Sequence, residues 1–293
     1  MRIEAAAIEA YSAGISAPPA PAGGDDPVGP GPGADREARA AFAVCLNAIN
    51  FGSGWWPTIR KRPGQSGFFT VATGLSERSR VHGPWTAAEL TLLTDADLAA
   101  VLGQDPEHPL MAQFAAALRD VGERIAAEHD GLFAAAIDSA AGSAPALAGL
   151  FAGWEAFADT SMYGDRLVPF CKRAQLATAD VARARVADLH DLDRLTAFAD
   201  NLVPHVLRLD GLLELDPALI ARIEAGELLA HGSPEEIELR ACAVHAVELL
   251  VAARAAAGQP RLTAAEVDSA LWNRGREARY KAVPRPRSRN TAY

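Results

Sequence analysis

Apolar residues recur at helical spacing through most of the chain, and this pattern predicts a mainly helical protein. Between residues 35 and 51, Phe42, Leu46 and Ile49 fall on one face of a helix. Beyond Trp85, amphipathic segments follow at about 109–128, 130–140, 145–160, 181–187, 191–208, 234–257 and 264–276. Helix starts are marked by capping-box pairs, in which two side chains satisfy each other's free backbone donors: Thr86 with Glu89, Ser233 with Glu236, Thr263 with Glu266. Thr94 with Asp97 is a weaker relative of the same signal. From Gly52 to Arg80 the composition turns to glycine, serine, aromatic and basic residues. That shift predicts a minor β-hairpin near residues 55–80, with Gly67-Phe68-Phe69-Thr70-Val71 as its best strand. Residues 17–34 are dense in proline and glycine and read as a linker or surface loop. The expected organisation is an N-terminal segment (1–35) and a single all-α domain (36–293), without repeats or sustained heptads.

Composition narrows the function classes. The 293 residues are 49% hydrophobic, enough for a sizeable core. A formal net charge of -9 opposes a broad nucleic-acid-binding face, yet leaves room for a local cationic pocket around a small phosphorylated ligand. Cys45, Cys171 and Cys242 are far apart and show no metal-ligand spacing, which fits a reduced chain and no zinc site. No run of 18 uninterrupted apolar residues and no clear signal architecture is present, so a cytoplasmic location without a membrane span is expected. Nothing in the sequence calls for a metal or an organic cofactor, or requires an oligomer.

Four stretches carry residue types that packing alone does not favour. In Leu46-Asn47-Ala48-Ile49-Asn50-Phe51-Gly52-Ser53-Gly54-Trp55-Trp56, asparagines and glycines beside tryptophans suit a ligand-facing loop, or a helix end followed by core tryptophans. Tyr163 and the adjacent cations Lys172 and Arg173 form a second group. They match the needs of a phosphomonoester, or equally a solvated surface pair. In Leu195–His205, Asp200 lies on an expected helix among apolar neighbours, just before Pro204 bends or ends it. Such a carboxylate is either paired structurally or functional. Phe198 adjoins it. Finally, Asp268 and Trp272 are four apart on one helix face with Asn273 beside them, a set that can read a nucleobase edge or serve plain packing.

Taken in order, LNAINFGSGWW, YGDRLVPFCKRAQL, LTAFADNLVPHVLRLDGLL, EIELRACAVHAVELL and VDSALWN resemble the queuosine salvage family, from about residue 40 to the basic tail ending in tyrosine. The resemblance implies an all-α fold similar to helix-hairpin-helix DNA glycosylases. It also implies hydrolysis of the N-glycosidic bond of queuosine 5'-phosphate, releasing the base queuine. It assigns the catalytic carboxylate to Asp200, a base contact to Phe198, and the base-edge acid to Asp268. Where the family often has a second aspartate after the tryptophan, this chain has Asn273, which can hydrogen-bond but brings no charge. His82 is a further candidate base contact, and Trp55 or Trp56 can offer a stacking face. A small-molecule substrate is therefore expected, with no direct nucleic-acid partner.

Two other readings compete. A DNA base glycosylase would share the helices, but Arg208-Leu209-Asp210-Gly211-Leu212-Leu213 poorly matches a DNA-engaging hairpin and the net charge opposes it. A non-catalytic 7-deazaguanine-binding protein would bind the base and not need Asp200 for chemistry.

Overall fold

The computed structural model describes residues 1–16 and 28–293. Residues 17–27 of the expected linker lie outside the described residues. Among those described, fourteen α-helices and two small two-stranded antiparallel sheets make the fold all-α. Strand β1 (Arg2–Ile3) and helix α1 (Ala5–Ala13) come first, then α2 (Arg36–Ala48) and α3 (Gly67–His82). Next are α4 (Ala87–Thr91), α5 (Asp95–Leu102), α6 (Pro109–Glu128), α7 (Phe133–Asp138) and α8 (Ala144–Ala152). A hairpin of β2 (Thr160–Tyr163) and β3 (Arg166–Pro169) leads into α9 (Lys172–Arg183). The remainder is α10 (Leu202–Leu209), β4 (Leu213–Glu214), α11 (Pro217–Glu224), α12 (Pro234–Ala256), α13 (Ala264–Arg274) and α14 (Ala278–Lys281).

Two large apolar clusters share the molecule. One draws on α2 to α9, with Phe51, Phe114, Phe151 and Phe157 fully buried. The other joins α1, α10, α12 and α13, and includes Ile8 and Ile15 from the N-terminal segment. That segment is tied down: β1 pairs with β4, and Arg254 donates to the carbonyls of Ser12 and Ile15. The chain crosses from the first cluster at Leu195 to the second at Ala197, so residues 195–201 run along the seam.

Several sequence expectations need correction. No hairpin occupies residues 55–80. Ser66 accepts the Phe69 N–H at 3.2 Å and starts α3, which buries Val71 and Leu75 one turn apart. Gly67 serves close packing there, because a Cβ would lie 2.5 Å from the Trp56 ring. The hairpin is instead at residues 160–169, where short alternating runs flank the Gly164-Asp165 turn. The helix expected at 181–187 begins earlier, at Lys172, and the one expected at 145–160 stops at Ala152. The helix expected at 191–208 begins only at Leu202. Pro204 does not end it but sits in its first turn, where a missing N–H costs nothing.

Thr86, Thr94 and Thr263 all form complete capping boxes. Ser233 forms half of one, since the Glu236 carboxylate turns away to the Gly232 N–H.

Candidate functional site

Residues 195–201 read as helix by apolar spacing, but side chains from elsewhere claim their backbone. Gln175 of α9 accepts the Thr196 N–H at 2.8 Å, and Asp268 of α13 accepts the Phe198 N–H at 3.0 Å. Arg240 of α12 donates to the Ala199 carbonyl at 2.9 Å. Asn201 donates to Ser53 and, at 2.7 Å, to the carbonyl of Pro286. A segment with no helical ladder of its own is thereby held at every second residue or closer, which meets the demand that buried backbone groups find partners.

Asp200 stands at the end of this segment, half-buried. Its Oδ1 accepts the N–H groups of Leu202 and Val203 at 2.8 and 3.1 Å, satisfying two free donors of α10. The other oxygen takes no hydrogen bond from any described residue. Asp268 has the same division: Oδ1 on Phe198, the second oxygen unclaimed. Two acids thus come together, each fixed through one oxygen and open at the other.

Lys172 lies with them. It is 5% exposed, and its Nζ donates to the Asn50 carbonyl at 3.1 Å. Burial pushes its pKa down to about 8, against the opposing pull of Asp200, Asp268 and Asp159. The Asp268 carboxyl is pushed well above the usual carboxylate range, first by burial and then by the charge of Asp200. The Phe198 N–H and Lys172 offset only part of this. Paired acids whose surroundings push one toward its protonated form are the arrangement that divides acid and base roles.

A second layer holds these groups. Asp159 accepts the Lys172 N–H at 2.9 Å and receives Arg240 on both oxygens. The Arg240 guanidinium lies between the rings of Phe170 (4.0 Å) and Tyr293 (4.5 Å). The tail passes over this layer: Gly52 N–H donates to the Tyr293 carbonyl, and Leu229 N–H to the Arg287 carbonyl at 2.8 Å. Gly54 permits the passage, because a Cβ there would be 2.4 Å from the Ser288 carbonyl oxygen.

Asp200, Phe198, Asp268 and Lys172 are brought together by the fold; Arg173, Tyr163, Asn273, His82 and Trp55 are not. Arg173 is enclosed, donating to the carbonyls of Ala48 and Ala292 and stacking on Phe51 and Phe157. Tyr163 is on the exposed hairpin, its hydroxyl donating to Glu238. Asn273 faces solvent and accepts from Arg276, five residues and thus more than a quarter turn from Asp268. His82 is exposed at the far end of α3, about 20 Å along the helix from Phe69, which meets Trp272. Trp55 is buried beneath Arg289, while Trp56 faces Arg285. The Arg208–Leu213 turn is structural, with Asp210 accepting from Tyr11, Tyr280 and Arg274.

Missed by sequence reasoning were Asp159, Arg240 and Asn201, while Arg285 was one of several tail arginines that the sequence offered for a phosphate without singling it out. The first three are ordinary polar residues, each with a partner 40 or more positions away. Arg285 had a local signal, since Pro284 and Pro286 fix the backbone on both sides of it.

Known proteins with related sequences identify the family. The family model described as queuosine salvage protein matches residues 31–293. A queuosine 5'-phosphate N-glycosylase/hydrolase of Sphaerobacter thermophilus is 34% identical, over 88% of this chain and 82% of its own. Proteins of the same name from Dictyostelium discoideum and Nematostella vectensis are 28% and 33% identical, over 88% and 72% of this chain and 79% and 65% of theirs. The chain belongs to the queuosine salvage protein family.

Proposed function

We propose that this protein hydrolyses the N-glycosidic bond of queuosine 5'-phosphate and releases queuine for reuse in tRNA modification. The observation that carries this reading is the pair Asp200 and Asp268, each anchored by one oxygen and open at the other, beside buried Lys172. The names borne by the relatives support it.

As the C–N bond lengthens, its electron pair moves to the base and positive charge grows on the ribose. The open oxygen of Asp200 meets that charge, by electrostatic stabilisation or by bonding to the anomeric carbon. Water then supplies the new C–O bond, displacing Asp200 where it has bonded, and the proton that water loses is passed to the departed base at the nitrogen freed from the sugar, so the carboxylate ends ionised. The base of queuosine carries carbon where a purine has nitrogen 7, so protonation there cannot help it leave. Asp268, kept toward its protonated form, gives an O–H to an acceptor on the base edge as negative charge builds. Phe198 is fixed by Asp268 through its own N–H, which couples the base contact to the acid. Lys172 lowers the cost of holding two carboxyl groups close together.

The substrate in this reading is a small nucleotide in the cytoplasm, taken without a nucleic-acid partner; the net charge of -9 supports that. The absence, among the described residues, of a helix long and apolar enough to cross a membrane is compatible with it. Incubation with queuosine 5'-phosphate followed by chromatography is the direct test. Queuine and ribose 5-phosphate should appear in equal amounts, and no free base over hours at micromolar enzyme would reject the proposal.

A further inference from the structure

Residues 283–287, Val-Pro-Arg-Pro-Arg, cross the site as a braced strand. Asn201, the residue after Asp200, holds the Pro286 carbonyl at 2.7 Å. One position on, the Arg287 carbonyl accepts from Leu229 and its guanidinium donates to the Gly226 carbonyl. Arg285 sits between two prolines on this strand, so its backbone has little freedom to lose when a ligand binds.

Its side chain is the unusual one. The guanidinium lies 5.8 Å from the centre of the Trp56 ring and makes no hydrogen bond or ion pair with any described residue. Burial pushes its pKa down, opposed by the nearby charge of Asp200 and reinforced by that of Arg287. Three other cations around the site are engaged. Arg173 holds main-chain carbonyls, Arg240 holds Asp159, and Lys172 holds Asn50. The Trp56 indole N–H beside Arg285 is likewise buried without a partner. An arginine with its fork unused, next to an unused indole donor and within range of the Asp200 charge, is a vacant receptor for an anion. A nucleotide places its phosphate a few bonds from the anomeric carbon, so an anion bound here is on the sugar side of Asp200. The positive charge also screens a dianionic phosphate from that carboxylate, whose repulsion would otherwise oppose binding.

We propose that Arg285, with the Trp56 N–H, binds the 5'-phosphate of the substrate and makes the site selective for a sugar phosphate. This rests on the nucleotide reading above; of the cations that the sequence offered for the phosphate (Lys172, Arg173 with Tyr163, or a tail arginine), it singles out Arg285 of the tail.

The test uses the two product halves as probes, ribose 5-phosphate and queuine, titrated into the full-length protein by calorimetry. In Arg285→Ala, ribose 5-phosphate should bind at least about 10-fold more weakly, the loss of charge-assisted hydrogen bonds. Queuine affinity should stay within about threefold, which also reports an intact fold, and Arg285→Lys should fall between. Equal losses for both probes, unchanged ribose 5-phosphate affinity in Arg285→Ala, or no ribose 5-phosphate binding by the parent protein overturns the assignment. The function itself is judged separately, by queuine release from the parent protein. A parent that releases none, yet binds ribose 5-phosphate through Arg285, sinks the hydrolase and keeps the phosphosugar site.

Discussion

One terminal nitrogen of Arg240 donates to both oxygens of Asp159, at 2.8 and 2.7 Å, with the two side chains essentially sealed from solvent. The same guanidinium donates through Nε to Ala199, next to Asp200, while Asp159 fixes the backbone of Lys172. A single ion pair therefore fixes the backbone beside Asp200 and at its neighbouring cation, Lys172.

Removing one partner leaves a buried charge without compensation. Arg240→Met should lower the free energy of unfolding by about 3–5 kcal/mol, read from urea denaturation. A loss below about 1 kcal/mol would show that the pair is not the fastening described.

Asp200→Asn should separate chemistry from architecture. The amide keeps a carbonyl oxygen for Leu202 and Val203, so the cap survives and stability should change by less than about 1 kcal/mol. Turnover of queuosine 5'-phosphate should fall by roughly 10³-fold, as when a group that meets transition-state charge is removed. Retained turnover in a folded variant argues against the role assigned to this carboxylate.

Lys172 gives the reaction a pH signature. With its pKa pushed down to about 8, it is charged below that pH and neutral above it. The value of kcat/KM should therefore decline as pH rises through about 8, and Lys172→Gln should abolish that alkaline limb while lowering the plateau. The stability sign is opposite. Between about 8 and its ordinary value, the unfolded lysine holds a proton that the folded one has lost. Its contribution thus makes folding more favourable as pH rises across that window. A profile with the same limb in the glutamine variant would assign it to another group.

Gly54→Ala should act on the tail. The added methyl meets backbone, the Ser288 carbonyl, which cannot swing aside as a side chain would. Overpacking of this kind costs about 1–3 kcal/mol and should displace the strand that carries Arg285. The expected result is a lower melting temperature with KM for the nucleotide raised more than kcat is lowered. Unaltered kinetics would mean that the tail's path is not coupled to substrate binding.

The helices were legible where local chemistry decides them. Pro109–Glu128 and Pro234–Ala256 begin and end within a residue of their apolar patterns. Legibility failed where distant partners override local preference. Leu195-Thr-Ala-Phe-Ala-Asp-Asn has helical spacing, but Gln175, Asp268 and Arg240 take its backbone groups and keep it out of a helix. Gly67 misled in the other direction, since the stretch it opens is expected as a strand, whereas Gly67 starts α3 and serves close contact with Trp56. At the site, Asp200, Phe198, Asp268 and Lys172 were reachable from ordered motifs. Arg173 was not separable from Lys172, because neighbours on a helix point about 100° apart and only packing shows which is enclosed.

The seam between the two apolar clusters has a consequence for how the catalyst matures. Lys172 belongs to a helix rooted in the first cluster, Asp268 to one rooted in the second, and Asp200 to the strip between them. Neither half holds a complete set of reacting groups. With the roles proposed above, a chain that has consolidated only one half should be catalytically silent, and nucleotide cleavage should begin only when both have docked.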